Sequence, residues 1–185
     1  SRISELNRML PIFLKTARLL ATRFPDIVFI CPTPKVVAKS FKRLVLEHNI
    51  EIEHISADLV SSDEFEKLKK SLYACSDLAL VTSGTVVLEL AKASVPMIVG
   101  YRTGFLTEII YRLFVKVSSA NLVNLITKRN DIPEFLFNRC NHKNLYKEAI
   151  VLLDKKKNSE AQLIASKQAI RELGYGSIDP SIRAA

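Results

Sequence analysis

The chain has 185 residues, of which 48% are hydrophobic and 25% are charged, so it is not a disordered protein. This length suits one domain, or one half of a larger two-domain protein. The 27 Lys and Arg against 19 Asp and Glu give a formal net charge of +8. These basic residues are dispersed and form no stripe with interleaved aromatic residues, so the sequence predicts no nucleic-acid partner.

Cysteine and histidine spacing argues against a metal site. Cys31, Cys75 and Cys140 are widely and irregularly spaced, and the three histidines are isolated. We therefore predict buried thiols in a reducing compartment, no metal ion and no cofactor. No apolar run is long enough for a membrane span.

Hydrophobic periodicity and breaks at Pro and Gly predict a regular alternation of helices and strands. In chain order the predicted elements are helix 6–24, strand 27–31, a turn at Pro32–Pro34, helix 35–49, strand 50–55, helix 61–75, strand 78–82, helix 85–93, strand 97–101, helix 104–116, mixed loop and short helix 118–136, and helices 142–155 and 158–173. This order is typical of an α/β protein with a Rossmann-like parallel sheet flanked by helices. Such sheets bind ligands at the carboxyl ends of their strands.

The junction Ser83-Gly84-Thr85 is the strongest candidate site, because it connects a buried strand to a helix. Gly84 permits a sharp turn and close approach of a ligand, and the two hydroxyls and the first helical N–H groups suit a phosphate. The alternative is an ordinary helix N-cap.

Glu89 lies one turn further along that helix, among apolar residues. A carboxylate there is costly unless it is exposed or paired. If the helix N-terminus faces a diphosphate, Glu89 can accept hydrogen bonds from the hydroxyls of the attached ribose. The alternative is a glutamate on the solvent side of the helix.

Three segments together carry a resemblance to a known family. TSGTVVLELAKASVPMIVGYR resembles the "SGT-x-x-LE … P-M-VVGYR" block of lipid-A-disaccharide synthases. The opening SRISEL resembles the end of that family's "LPGSR-x-x-E" motif, and ANLVNLI…DIPEFL resembles its "LPNL…PE" stretch. Two positions depart from the pattern: Val123 stands where Pro is expected, and Phe137 where Gln is usual.

The resemblance implies that residues 1–185 form a single C-terminal nucleotide-sugar-binding domain, the donor-binding half of a GT-B glycosyltransferase. The other half would precede Ser1, and the last two helices, from about residue 142, are expected to pack on it or on a partner chain. The family joins UDP-2,3-diacylglucosamine to 2,3-diacylglucosamine 1-phosphate, forms the lipid A disaccharide and releases UDP.

Carried over from the family, the expected UDP-binding residues are Arg2, Ser83, Gly84, Thr85, Glu89, Arg102 and Asn124. Arg2 would clamp the diphosphate, Arg102 would add positive potential, and Asn124 would orient donor or sugar groups. The alternatives are a frayed terminal residue for Arg2 and a turn or helix cap for Asn124.

The general base is expected in the N-terminal half, so this chain has no predicted catalytic residue and would be inactive alone. The resemblance further implies a cytoplasmic protein, peripheral on the anionic inner face of the inner membrane of a Gram-negative bacterium, and leaves a homodimer open. Two alternatives remain: half of another GT-B-fold nucleotide-sugar enzyme, such as an epimerase, or a non-catalytic nucleotide- or membrane-binding module.

Overall fold

The computed structural model describes residues 3–102, 119–154 and 156–174, so the predicted helix 104–116 lies outside the described residues. The helices are α1 (Ile3–Arg23), α2 (Ala38–His48), α3 (Ser62–Cys75), α4 (Val86–Lys92), α5 (Leu122–Thr127), α6 (His142–Asp154) and α7 (Glu160–Glu172). The strands are β1 (Ile30–Thr33), β2 (Glu53–Ser56), β3 (Ala79–Thr82), β4 (Met97–Tyr101) and β5 (Glu134–Leu136). Short 3₁₀ turns precede α2, α6 and α7.

All described strand pairs are parallel, which confirms the predicted α/β class. Strands β1 and β2 form one pair, and β3, β4 and β5 form a second sheet with β4 in the middle. The strands therefore form two hydrogen-bonded sheets, whereas the sequence analysis predicted one.

Helices cover both faces of the three-stranded sheet, as the residues of β4 show. Met97 and Val99 lie in a core cluster with residues of α4, α5 and α7. Ile98, which points to the opposite face, lies in a cluster with residues of α1 and α6. Because successive strand side chains alternate between faces, one apolar strand contributes to both layers.

Helix α1 runs past both sheets. Its residues Leu10 and Leu14 pack with Phe41 and Leu44 of α2, near β1 and β2. Leu20, two to three turns later, belongs to the cluster under the three-stranded sheet. Pro11 lies inside this helix.

Two strand predictions were inaccurate. Strand β1 begins three residues later than expected, so Pro32 lies within it instead of in a turn. Pro is tolerated there because its missing N–H falls on an unpaired strand edge. Strand β5 lies inside a segment that was predicted as loop and short helix. It pairs with β4, and Glu134 lies opposite Val99 at its start. Three residues are too few to show the alternating hydrophobic pattern of a strand.

The last two helices pack within the chain. Leu145 and Ala149 of α6 are fully buried under β4, and Ala165 and Ala169 of α7 are fully buried against α4 and α5. Whether their outer faces also meet another domain stays a prediction, as does the single-domain assignment.

Candidate functional site

The loop Ser83–Thr85 connects β3 to α4 at the carboxyl end of the sheet. Gly84 has a φ angle of 159°, and a Cβ built on it would meet no atom within 4 Å. Thr85 is exposed, and its side chain makes no capping hydrogen bond to α4. Thr85 occupies the N-cap position of α4, as the alternative interpretation expected, but its hydroxyl does not serve as the cap. The space beside Gly84 is open, and the exposed Thr85 side chain is accessible to a ligand.

Ser83 has a different role from its neighbours. Its hydroxyl donates a hydrogen bond to the carbonyl oxygen of Ala120, in the segment before α5. The Ala120 N–H donates in turn to Glu134 Oε1 at 2.7 Å, and the Ser119 hydroxyl donates to the other oxygen of the same carboxylate. Ser83 thus joins the β3–α4 loop to a segment fixed by β5. The site residues predicted from the sequence do not include Ser119, Ala120 or Glu134, although Glu134 is the acid of the DIPEFL segment.

Glu89 is held by a lysine from another helix. Lys69 Nζ of α3 lies 3.0 Å from Glu89 Oε2 and 2.8 Å from Glu66 Oε1. The Lys69 side chain is only 15% exposed, whereas that of Glu89 is 42% exposed. Glu89 is four residues from Thr85, so both side chains lie on one face of α4. Glu89 is thus both solvent-accessible and oriented.

Two ionisable groups beside Glu89, Lys69 and Tyr73, have raised pKa values. Burial by itself lowers the pKa of Lys69, but the hydrogen bonds and charges of Glu66 and Glu89 outweigh burial, and the pKa is raised. Burial, with the Glu89 charge second, raises the pKa of Tyr73 to about 12. At neutral pH the site therefore contains a charged lysine and a protonated phenol beside Glu89.

Asn124 is buried, and its amide joins α5 to the approach of β5. Its Nδ2 donates to the Ile132 carbonyl at 2.9 Å, and its Oδ1 accepts from the Ile132 N–H at 3.1 Å. In this structure Asn124 therefore positions a backbone segment. Its predicted contact with donor or sugar groups stays a prediction.

The two predicted arginines are placed differently. Arg102 is exposed and directly follows β4, so it lies at the same carboxyl edge as the Ser83–Thr85 loop. Burial raises the pKa of Cys140 to about 11, while the nearby Arg102 charge acts in the opposite direction. Arg2 lies outside the described residues.

Together, Gly84, Thr85 and Glu89 form the accessible part of the site, and Lys69, Ser83 and Asn124 support it. Backbone amides and a hydroxyl suit phosphate oxygens, and an oriented carboxylate suits paired sugar hydroxyls. Helix α4 has only seven residues, so its dipole is a minor contribution beside these direct groups.

Within residues 3–102, 119–154 and 156–174, no helix has both the length and the apolar character needed to cross a membrane.

Comparison with known proteins identifies one family. The family model described as lipid-A-disaccharide synthetase matches residues 1–179. A lipid-A-disaccharide synthase of Rhodospirillum centenum is 35% identical over the whole chain and 44% of its own length. The enzyme of Gluconobacter oxydans is 34% identical, over 94% of this chain and 40% of its own length. A probable mitochondrial lipid-A-disaccharide synthase of Arabidopsis thaliana is 35% identical, over 94% of this chain and 37% of its own length.

The chain thus spans less than half the length of these relatives. The family match includes the Ser83–Thr85 loop, Glu89 and the Glu134 segment. This chain belongs to the lipid-A-disaccharide synthetase family.

Proposed function

We propose that this chain supplies the UDP-sugar-binding half of a lipid-A-disaccharide synthase. The complete enzyme would transfer the sugar of UDP-2,3-diacylglucosamine to 2,3-diacylglucosamine 1-phosphate and release UDP. The observation that carries the proposal is the family match over residues 1–179, which contains an open strand-end loop and an oriented carboxylate.

The diphosphate would lie against the Ser83–Thr85 loop. A ligand can approach the Gly84 backbone closely, and the exposed Thr85 side chain makes no capping hydrogen bond to α4. The Gly84 N–H and the Thr85 hydroxyl can therefore both donate to phosphate oxygens. Arg102, and Arg2 as the family motif implies, would add positive charge. Negative charge builds on UDP as it departs, so donors and cations fixed around the diphosphate favour the reaction without a protein nucleophile.

The ribose would lie beside Glu89. Lys69 contacts Oε2, and a carboxylate has enough lone pairs to accept hydroxyl hydrogen bonds as well. The ion pair limits the rotamers of Glu89 before the ligand arrives, which lowers the entropic cost of binding. Asn124 and Glu134 would act indirectly, by positioning the segment that Ser83 contacts.

The remaining parts of the reaction would come from elsewhere in the complete protein and its surroundings. A general base must remove the proton of the acceptor hydroxyl. We assign this base to the part of the complete enzyme that this chain does not match. The net charge of +8 would favour the anionic inner face of the inner membrane, where acylated substrates reside.

Calorimetric titration with UDP, UMP, CMP and inorganic phosphate tests the donor site. We expect Glu89→Ala to weaken UDP binding about tenfold, the loss of one or two hydrogen bonds to a charged acceptor. Binding of inorganic phosphate, which has no ribose, should change less than about twofold.

Glu66→Ala is the matched control, because Glu66 also pairs with Lys69 but lies on α3. This variant should retain UDP affinity within about twofold, since Lys69 keeps Glu89 as a partner. Equal losses of UDP and inorganic phosphate in Glu89→Ala would contradict the ribose role.

A further inference from the structure

The formal charge of the chain is concentrated on two helices. Helix α1 contains four basic residues and one acidic residue, a net charge of +3. Helix α2, with the 3₁₀ turn Lys35–Val37 before it, also contains four basic residues and one acidic residue, again +3. Each of the other described helices, α3 to α7, has a net charge of zero. Helices α1 and α2 therefore account for +6 of the formal net charge of +8.

These two helices are neighbours, so their charges form one surface. Leu10 and Leu14 of α1 share a core cluster with Phe41 and Leu44 of α2. The basic side chains of both helices are exposed instead of buried in this contact. We name these eight exposed side chains the basic face: Arg8, Lys15, Arg18, Arg23, Lys35, Lys39, Lys42 and Arg43.

The basic face surrounds an exposed leucine on α2. Four residues occupy positions i, i+3, i+4 and i+7 of this helix and so share one side of it: Lys39, Lys42, Arg43 and Leu46. The Leu46 side chain is 80% exposed, so it adds nothing to the core of this chain. A leucine among cations suits a lipid–water interface, where anionic headgroups attract the cations and the acyl region accepts the leucine.

The same combination of charge and apolar surface continues beyond α2. On α1, the exposed Leu19 lies four residues from Lys15 and four from Arg23, so the three share one side of the helix. Lys35 and Val36 follow β1 directly, and Val36 is 75% exposed. The basic face therefore extends to the carboxyl edge of β1.

The acidic residues near the basic face do not neutralise it. Glu47 lies 3.8 Å from Arg43, but both side chains are more than half exposed, so water and salt weaken this pair. A hydrogen bond from Ser56, and then the charges of Lys42 and Lys35, lower the pKa of Asp58, which places an anion near those lysines. With Asp58 counted, the two helices and this border still have a net charge of +5.

We propose that the basic face docks the chain on an anionic lipid bilayer, with Leu46 inserted among the headgroups. Charge complementarity favours an anionic surface, and the exposed leucine favours a bilayer over a nucleic acid, which offers no apolar layer. This inference rests on the proposed association with the inner membrane and names the side chains that would produce it.

Vesicle sedimentation tests the inference directly with the 185-residue chain. One set of vesicles contains equal parts of phosphatidylcholine and phosphatidylglycerol, and the other contains phosphatidylcholine alone. We expect the chain to bind the anionic vesicles, and the binding to weaken as salt is added. Equal binding to both sets, or no binding to the anionic vesicles, would overturn the proposal.

Substitutions on α2 locate the contact. Each basic residue near an anionic surface raises the partition coefficient about fivefold. We therefore expect the triple variant Lys39→Gln, Lys42→Gln, Arg43→Gln to bind anionic vesicles at least about thirtyfold more weakly. Leu46→Ser should weaken binding about threefold or more, because the bilayer loses an apolar side chain.

The matched controls lie on helices of the opposite layer, α3 and α7, whose residues pack in the cluster with α4. The triple variant Lys67→Gln, Lys70→Gln, Lys167→Gln removes the same charge from exposed positions and should weaken binding less than about threefold. Ile164 is exposed on α7, and Ile164→Ser should leave vesicle binding unchanged.

Equal losses in the two triple variants would show that net charge alone attracts the chain, and would overturn the assignment to the basic face. A single-stranded oligonucleotide that binds as tightly as the anionic vesicles, with no response to Leu46→Ser, would assign the face to nucleic acid instead. Calorimetry with UDP on the same variants keeps the two proposals apart, because none of these substitutions removes a donor-site residue. Loss of UDP binding with vesicle binding intact would count against the donor site only.

Discussion

At the scale of single residues, Lys69 is the side chain that orients the exposed Glu89. We expect Lys69→Met to weaken UDP binding about 3- to 10-fold, because Glu89 loses the cation at 3.0 Å that restricts its rotamers. Lys69→Arg should retain affinity within about twofold, since the guanidinium can also bridge Glu66 and Glu89. Calorimetry with UDP and with inorganic phosphate measures both, and only the UDP affinity should respond.

Lys70→Met separates orientation from general charge. Lys70 is the exposed neighbour on α3, and its replacement removes the same unit of charge. If Lys70→Met weakens UDP as much as Lys69→Met does, the effect is long-range electrostatics and Lys69 is not a positioning residue.

The contrast between Glu89 and Lys69 shows what the sequence can predict at this scale. Thr85 and Glu89 are four residues apart on one short helix, so local spacing alone puts them on one face. Lys69 meets Glu89 only because α3 packs beside α4, and nothing in the KLKK run distinguishes it from the lysines on either side. The hydrogen bond from the Ser83 hydroxyl to the Ala120 carbonyl spans 37 positions, so local spacing could not show it. The predicted contact of Ser83 with the diphosphate stays a prediction.

At the scale of elements, Asn124 joins α5 to β5. We expect Asn124→Ala to lower the free energy of unfolding by about 2–4 kcal/mol, because the buried N–H and C=O of Ile132 both lose their partner. Denaturant unfolding measures the change. The UDP affinity should be measured at denaturant concentrations well below the unfolding transition. It should fall only to the extent that the substitution displaces residues 119–121.

Thr127→Val is the matched variant on the same helix. The Thr127 hydroxyl donates a hydrogen bond to the Val123 carbonyl within α5, so the change should cost less than about 1 kcal/mol. An Asn124→Ala variant that is as stable as Thr127→Val, yet binds UDP much more weakly, would show that Asn124 contacts the ligand directly.

Elements with their own periodicity were predictable, and those created by pairing were not. Helices α2, α3, α6 and α7 fall within three residues of their predicted bounds, because a long amphipathic pattern needs no partner to be recognised. Strand β5 exists because the edge of β4 was available beside Glu134 and Phe135. Its three residues lie in a segment where Pro133 and charged residues resemble a loop.

At the scale of the whole molecule, the alternation of helices and strands predicts the fold class but not the completeness of the sheet. The alternation follows from the order of helices and strands along the chain, which can be predicted directly from the sequence. Whether two strands are neighbours depends on what lies between them, and residues of both β1 and β3 line an apolar cavity of about 430 Å³. A sequence-based prediction therefore gives one sheet where the structure has two.

Whether the chain can catalyse the transfer alone depends on whether it contains a free general base. In the part of the chain that the structure describes, two carboxylates at the Ser83–Thr85 loop are already engaged: Glu89 pairs with Lys69, and Glu134 accepts from Ser119 and Ala120. A general base must take the proton of the acceptor hydroxyl within hydrogen-bond reach, and a carboxylate committed to an ion pair or to backbone donors is a weak one.

We therefore expect the 185-residue chain to bind UDP but to form no disaccharide from UDP-2,3-diacylglucosamine and 2,3-diacylglucosamine 1-phosphate. Mass spectrometry of the lipid product measures the reaction, with the Rhodospirillum centenum relative as the positive control and UDP titration as evidence that the donor site is formed. Product formed by the chain alone would contradict the prediction. Glu134→Gln would then identify the base: loss of that product with UDP affinity retained would assign the proton transfer to Glu134, because the amide keeps the shape of the carboxylate but cannot accept the proton.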